Sequence, residues 1–340
     1  MSWPPEVRRR AGELVRSWSA VHRPDGRPDI FVFTTPRSGS TWLMELLSDQ
    51  PGFKAVSEPF DLRNPSVRRR LGLVDWVSLY NHDSEPRVRR YIEGFRTGTL
   101  RFLNPRPRLW PPRPVTHRIV FKILHFGEDR ISWFRDTFGG RVVLLLRHPI
   151  AVSLSRDVLP RLQAFLESDY RRHFSAQQLA FARQLAASGN KLERGVLDWC
   201  LQNAVPLRQA EPDWIVISYE QLVLEPRPVL ERLAAKLDLP DPERLFRSLR
   251  VPSRTVNKSD RLTAQVLDQP DSAERSSYLI EKWRRHVGPE VELRVMEILK
   301  RFDVDVYAAG HALPTGRLAF GQSRERRPSQ LAAAAAAGEA

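Results

Sequence analysis

Ile30-Phe31-Val32-Phe33-Thr34-Thr35-Pro36-Arg37-Ser38-Gly39-Ser40-Thr41-Trp42 reads as an apolar strand, a tight turn and the opening of a helix. Pro28-Asp29 bounds the strand before and Pro36 after. From Trp42 the run Trp-Leu-Met-Glu-Leu-Leu combines helix formers with apolar spacing. Between strand and helix stand one cation, Arg37, one glycine, Gly39, and the hydroxyls of Ser38, Ser40 and Thr41. Free N–H groups at a helix N-terminus carry partial positive charge and bind anions. Gly39 allows close approach of the backbone, and Arg37 adds a full charge with a bidentate donor set. The segment is therefore a candidate phosphate cradle. It is not a Walker A loop, which needs G-x-x-x-x-G-K-[ST]; here there is one glycine and no following lysine.

Working outward, further strands are expected at Phe53-Lys54-Ala55-Val56, at residues 117–124, at 141–147 and at 214–219. Arg141-Val142-Val143-Leu144-Leu145-Leu146-Arg147 is apolar almost throughout, as a central strand covered on both faces must be. Helices are expected over about 172–209, 227–238 and, as a pair, 275–302. Residues 61–116, rich in Arg and Pro, read as loops and short helices. Strands alternating with helices predict an α/β protein: a P-loop-like three-layer fold with a central parallel sheet of about five strands flanked by helices. Such sheets place their ligand crevice at the C-terminal strand ends. The organisation expected is a basic helix and linker over 1–28, one domain over 29–312, and a disordered tail over 313–340 that ends in a run of alanines.

Directly after the fourth strand comes Arg147-His148-Pro149-Ile150-Ala151-Val152-Ser153-Leu154-Ser155. Pro149 suits a first helical position. Arg147 at the strand tip and Ser155 two turns on can reach one anion, giving a second cradle. Two cradles on neighbouring strand tips suit a nucleotide with phosphates at both ends of its ribose.

Bulk composition agrees. At 340 residues, a sizeable core is no difficulty. The net charge is +14; of 54 basic residues 7 are lysine and 47 arginine. That balance favours anionic partners. Cys200 is the only cysteine, which excludes an intrachain disulfide and a cysteine zinc site and fits a cytoplasmic setting. No apolar leader and no membrane-length apolar run is read in the sequence.

With both loops quoted, the chain resembles the sulfotransferases that use 3′-phosphoadenosine 5′-phosphosulfate. That family's T-x-P-[KR]-S-G-[ST]-[ST] loop is similar to Thr34–Thr41, and its R-[ND]-P-x-x-x-x-x-S segment to Arg147–Ser155. Ser218-Tyr219-Glu220-Gln221-Leu222 looks like the Y-E-[DE]-L stretch near the adenine pocket, and Trp42 stands where cytosolic members have an adenine-stacking Trp. The likeness covers about residues 29–240 and, loosely, on to 305, and leans toward the carbohydrate and bacterial type. His148 departs from the usual Asn or Asp, and the G-x-x-G-x-x-K segment is absent. That leaves Lys258, Arg261 and Arg284 as unranked candidates for a third phosphate contact.

The resemblance implies a sulfuryl transfer to a hydroxyl or amine of a glycan, glycolipid or small metabolite, with an acidic acceptor among the candidates and no metal. Cofactor-binding residues would be Arg37, Ser38, Gly39, Ser40, Thr41, Trp42, Arg147, Ser155 and Tyr219. Two residues compete as general base. Glu58, in Ser57-Glu58-Pro59-Phe60, matches an E-P position that bears the base in many members. His125, 22 residues before Arg147, has the spacing of the cytosolic enzymes' histidine. Arg37 and the E-P-F context favour Glu58. Lys122 is a candidate contact for the transferring group. Trp199, Trp283 and Cys200 read as packing residues, and Arg68–Arg70 as a solvated helix face. Two other classes stay open: a P-loop-type kinase, disfavoured by the missing G-K-[ST], and a non-catalytic polyanion binder suggested by charge alone.

Overall fold

The computed structural model describes residues 21–100, 115–154, 156, 158–249, 265–266 and 272–319. The described residues form seven strands: β1 (Val21–His22), β2 (Ile30–Thr34), β3 (Phe53–Ser57), β4 (Val115–Thr116), β5 (Arg118–Ile123), β6 (Arg141–Leu146) and β7 (Ile215–Ser218). Five form one parallel sheet in the order β3-β5-β2-β6-β7. The continuous apolar runs become the central strands. Every residue of β2 and β5 is buried, as is β6 after Arg141.

Alternation along β2 divides the interior into two cores. Phe31 and Phe33 face one side, with Phe121 and Leu144, against Tyr91 and Phe95 of the Glu85–Arg96 helix and Phe134 of the Ile131–Phe138 helix. Ile30 and Val32 face the other, with Val143 and Ile217, against Leu43 and Leu47 of the Ser40–Ser48 helix and Leu230 and Leu233 of the Pro226–Leu237 helix. A sheet clothed on both faces gives the three layers expected.

Three details differ from the sequence expectation. The expected linker before residue 29 contains β1, which pairs in parallel with β4 (Val21 beside Val115). The helical stretch over 172–209 is two helices, Ala176–Ser188 and Lys191–Gln209. Gly189 ends the first and Asn190 caps the second, its side chain accepting from the amides of Leu192 and Glu193 while the Asn190 amide donates to the Glu193 carboxylate. The 61–100 stretch holds short helices as expected, among them Pro65–Leu71, Trp76–Tyr80 and Glu85–Arg96. The expected tail begins too early, because Leu318 is buried and its carbonyl accepts from Gln221. Residues 320–340 lie outside the described residues.

Sheet order decides which loops meet. β2 and β6 are neighbours, so the two candidate anion loops emerge side by side. β3 and β5 are neighbours, so Glu58 and His125 do too. β5 also flanks β2, which brings Lys122 toward the first loop.

Candidate functional site

β2 ends at Thr34, and the chain turns through Thr35–Gly39 before the Ser40–Ser48 helix. Arg37 and Gly39 both adopt positive φ, at 74° and 82°. A non-glycine residue there is strained, and such strain gathers at functional loops. The Ser38 amide closes the turn onto the Thr35 carbonyl at 3.3 Å. Gly39 is demanded twice over: by its φ, and because a Cβ there would stand 2.6 Å from the Tyr219 ring. No side chain caps the helix N-terminus, so its leading amides are available to an anion. The Ser38 hydroxyl is fully buried and has no hydrogen-bond partner, an orphan that an anionic oxygen would satisfy.

The second loop stands against the first. Arg147 Nη1 donates to the Arg37 carbonyl at 2.9 Å, and its guanidinium lies 4.0 Å from the Tyr219 ring centroid. Trp42 meets Tyr219 edge-on at 6.5 Å. Arg37, Gly39, Trp42, Arg147 and Tyr219, scattered over 180 residues, thus form one surface. Pro149 opens the Pro149–Ser153 helix as expected. Ser155, Lys258 and Arg261 lie outside the described residues. Arg284 is committed elsewhere, donating to Glu292 and to the Gly310 carbonyl.

Beside the first loop lies a polar cluster. Glu58 follows β3 with φ 54°, and its amide extends the ladder to the Lys122 carbonyl at 2.8 Å. Lys122, buried on β5, bridges two partners: Glu58 Oε1 at 2.8 Å and Thr41 Oγ1, at the end of the first loop, at 3.1 Å. His125 Nε2 lies 3.7 Å from Glu58 Oε2. Its Nδ1 faces Arg161 Nη1 at 3.0 Å. An arginine only donates, so Nδ1 accepts and the neutral ring carries its proton on Nε2, toward Glu58. Arg63 Nη2, 3.3 Å from Nε2, then faces a proton and adds no attraction. Burial pushes the Glu58 carboxyl upward, but the facing His125 and the charge of Lys122 outweigh it and hold Glu58 down at about 2. Burial lowers His125 to about 4, with Glu58 opposing and Arg161 reinforcing. Near neutral pH the pair is carboxylate and neutral imidazole.

Glu58, Asp61 and His125 hold potential ligand atoms within 4.8 Å of one another. Lys122 and Arg63 already neutralise the two carboxylates, at 2.8 and 2.7 Å, which works against a metal cation there.

Several contributing residues had no local signal. Arg161 is held by Glu128 Oε1 at 2.7 Å and by the Tyr80 hydroxyl at 2.8 Å. Glu220, within the quoted Tyr219-Glu220 pair, is buried and accepts from the His148 amide at 3.0 Å and the Tyr307 hydroxyl at 2.8 Å. Trp283 packs as expected, stacked on His148 at 4.4 Å. Cys200 is a buried free thiol. Arg68, Arg69 and Arg70 are exposed. No helix of the described residues is long and apolar enough to cross a membrane.

No protein-family model and no curated protein matches the chain. Among solved structures it is similar to the sulfotransferase domain of the Synechococcus PCC 7002 olefin synthase, with 19% identity over 84% of this chain and 98% of that one, TM-score 0.42. A sulfotransferase domain from the curacin biosynthetic pathway has 17% identity over 84% of this chain and 99% of that one, TM-score 0.39. The mouse sulfotransferase SULT7A1, complexed with PAP, has 15% identity over 82% of this chain and 85% of that one, TM-score 0.42. Likenesses this distant leave the chemistry to be argued from the loops themselves.

Proposed function

We propose that this protein transfers a sulfuryl group from 3′-phosphoadenosine 5′-phosphosulfate to a hydroxyl or amine of an acceptor, a glycan, glycolipid or small metabolite. The observation that supports this most is the Lys122 bridge. It ties a carboxylate able to take a proton, Glu58, to the hydroxyl of Thr41 in an anion-binding loop that faces a second one.

In this proposal the amides of residues 38–41, the Ser38 hydroxyl and Arg37 hold the 5′ end of the nucleotide, and Arg147 holds the 3′-phosphate. Trp42 and Tyr219 flank the adenine. The donor supplies an activated sulfuryl group, whose bond to the 5′-phosphate breaks as the acceptor oxygen bonds to sulfur. Arg37, Lys122 and the loop amides face the charge that develops. Glu58 takes the acceptor's proton. While Lys122 rests on it, Glu58 is a weak base. Lys122 turning toward the anion in the loop removes that pairing and raises the basicity of Glu58. His125, its Nδ1 engaged and its Nε2 protonated, orients Glu58 rather than acting as base.

Calorimetric titration with adenosine 3′,5′-bisphosphate, 5′-AMP and ATP–Mg²⁺ tests the donor. Tight binding that needs the 3′-phosphate is expected. Preference for ATP–Mg²⁺ would move the protein to a kinase class. Failure of all three would leave the basic surface as the remaining lead.

A further inference from the structure

Two residues lie behind both loops with no role in the chemistry above. Trp199 and Asn203 stand one turn apart on the Lys191–Gln209 helix, 0% and 2% exposed. Trp199 Nε1 donates to the Arg147 carbonyl at 3.0 Å. Asn203 Nδ2 donates to Thr35 Oγ1 at 3.0 Å and to the Trp199 carbonyl at 2.7 Å. The Arg147 guanidinium returns to the first loop through the Arg37 carbonyl at 2.9 Å. These bonds close a ring: Thr35 and Arg37 in the first loop, Arg147 in the second, Trp199 and Asn203 on the helix.

The peptide unit between Arg147 and His148 shows how firmly the ring is held. Its carbonyl accepts from Trp199, and its N–H donates to Glu220 Oε1 at 3.0 Å. Both polar groups of one peptide, at a strand tip where the ladder has ended, are met by buried side chains. A buried indole N–H needs a partner, and here that partner is a backbone carbonyl of the anion loop. The direction in which the Arg147 side chain leaves the backbone is thereby set.

We propose that Trp199 and Asn203 are positioning residues that hold the two anion loops at one fixed separation, making the site select a ligand with two anionic ends over one with a single end. The proposal rests on the nucleotide reading above and deepens it. A ligand that engages both loops gains the second contact at high effective concentration only if the loops do not move apart. A ligand that engages one loop is indifferent to their spacing.

The test compares wild type with Trp199→Phe, which keeps most of the packing and removes the N–H, and with Asn203→Ala, which removes the other arm of the ring. Adenosine 3′,5′-bisphosphate, 5′-AMP and 3′-AMP are titrated against each. Affinity for the bisphosphate is expected to fall about tenfold in both variants, while each monophosphate changes less than about threefold. Parallel loss for all three ligands, or no loss for any, would reduce the two residues to packing and overturn the proposal.

Hydrogen exchange without ligand reads the coupling directly. Trp199→Phe, a change at the second loop, should speed exchange across residues 35–39 of the first loop by about tenfold, with β3 unaffected. Unchanged protection at 35–39 overturns the ring whatever the ligand. Accelerated exchange in a protein that shows no preference for the bisphosphate would support the ring and overturn the nucleotide reading instead.

Discussion

In the proposed transfer, Glu58 is the residue on which the chemistry turns. Its carboxylate meets Lys122, which also reaches Thr41 of the first loop, whereas His125 has its Nδ1 lone pair taken by Arg161 and its other nitrogen protonated. Glu58→Gln should therefore lower turnover by about 10²–10⁴-fold, while affinity for adenosine 3′,5′-bisphosphate stays near wild type. Release of the bisphosphate from the donor, followed with a panel of simple alcohols and sugars, measures the first; calorimetry measures the second. Turnover that survives in Glu58→Gln but vanishes in His125→Ala would reverse the two roles. Glu58 was visible in the sequence because it follows an expected strand and precedes a proline. Its partnership with Lys122 was not, because those residues lie 64 positions apart and meet only through the pairing of Ser57 with Lys122 across β3 and β5.

At the scale of elements, one buried arginine joins sheet to helix. Arg118 opens β5 with no exposed surface. It donates to the carbonyls of Pro28 at 2.7 Å, Asp238 at 2.8 Å and Leu237 at 2.9 Å, and its guanidinium stands 4.7 Å from the Phe53 ring centroid. The last carbonyls of the Pro226–Leu237 helix lack intrahelical partners, and Arg118 supplies them. Arg118→Met fills similar space and removes the donor from three backbone carbonyls, of which that of Leu237 is buried, a loss of about 3 kcal/mol. Urea unfolding should show a lower midpoint at an unchanged slope. A midpoint within error of wild type would mean that water or backbone movement replaces all three bonds. The strands were legible as apolar runs, and the Pro226–Leu237 helix as a periodic one. What caps that helix was not, since the cap comes from a strand more than 100 residues earlier.

The whole molecule carries a pH dependence built from buried neutral histidines. Burial lowers His148 to about 3, helped by Arg284 and Arg147, lowers His125 to about 4, and lowers His22 to about 4. An unfolded histidine titrates near 6.5. Above that pH neither state binds the proton, and these groups contribute nothing to the balance. As pH falls below about 6.5 the unfolded chain takes up protons that the folded chain does not, so stability declines until the folded pKa is reached. Glu58, held at about 2, adds a second loss as pH falls from the ordinary carboxylate range through about 2. The three histidines should therefore pull thermal unfolding downward between pH 6.5 and 4, against the buried carboxyls of Asp29, Glu128, Asp198 and Glu220, which burial raises and which act in the opposite sense. His148→Phe, which keeps an aromatic ring against Trp283, should recover on the order of 2 kcal/mol of that loss at pH 4. An identical pH slope in the variant would remove His148 from the account.

The sequence by itself determined the five strands of the main sheet, the two loops that follow β2 and β6, and the α/β class. Each of these is written in contiguous residues: an apolar run, a glycine where φ must be positive, a proline at a helix start, cations at strand tips. The tertiary structure alone decided which loops are neighbours. The order β3-β5-β2-β6-β7 sets Glu58 beside Lys122, Lys122 beside Thr41, and Arg147 beside Arg37. It also turned Trp199 from filler into a hydrogen-bond donor and gave His125 its tautomer through Arg161. Pairing across a parallel sheet depends on crossovers tens of residues long, and a side chain buried at the far end of one leaves no mark on the residues beside it in the chain.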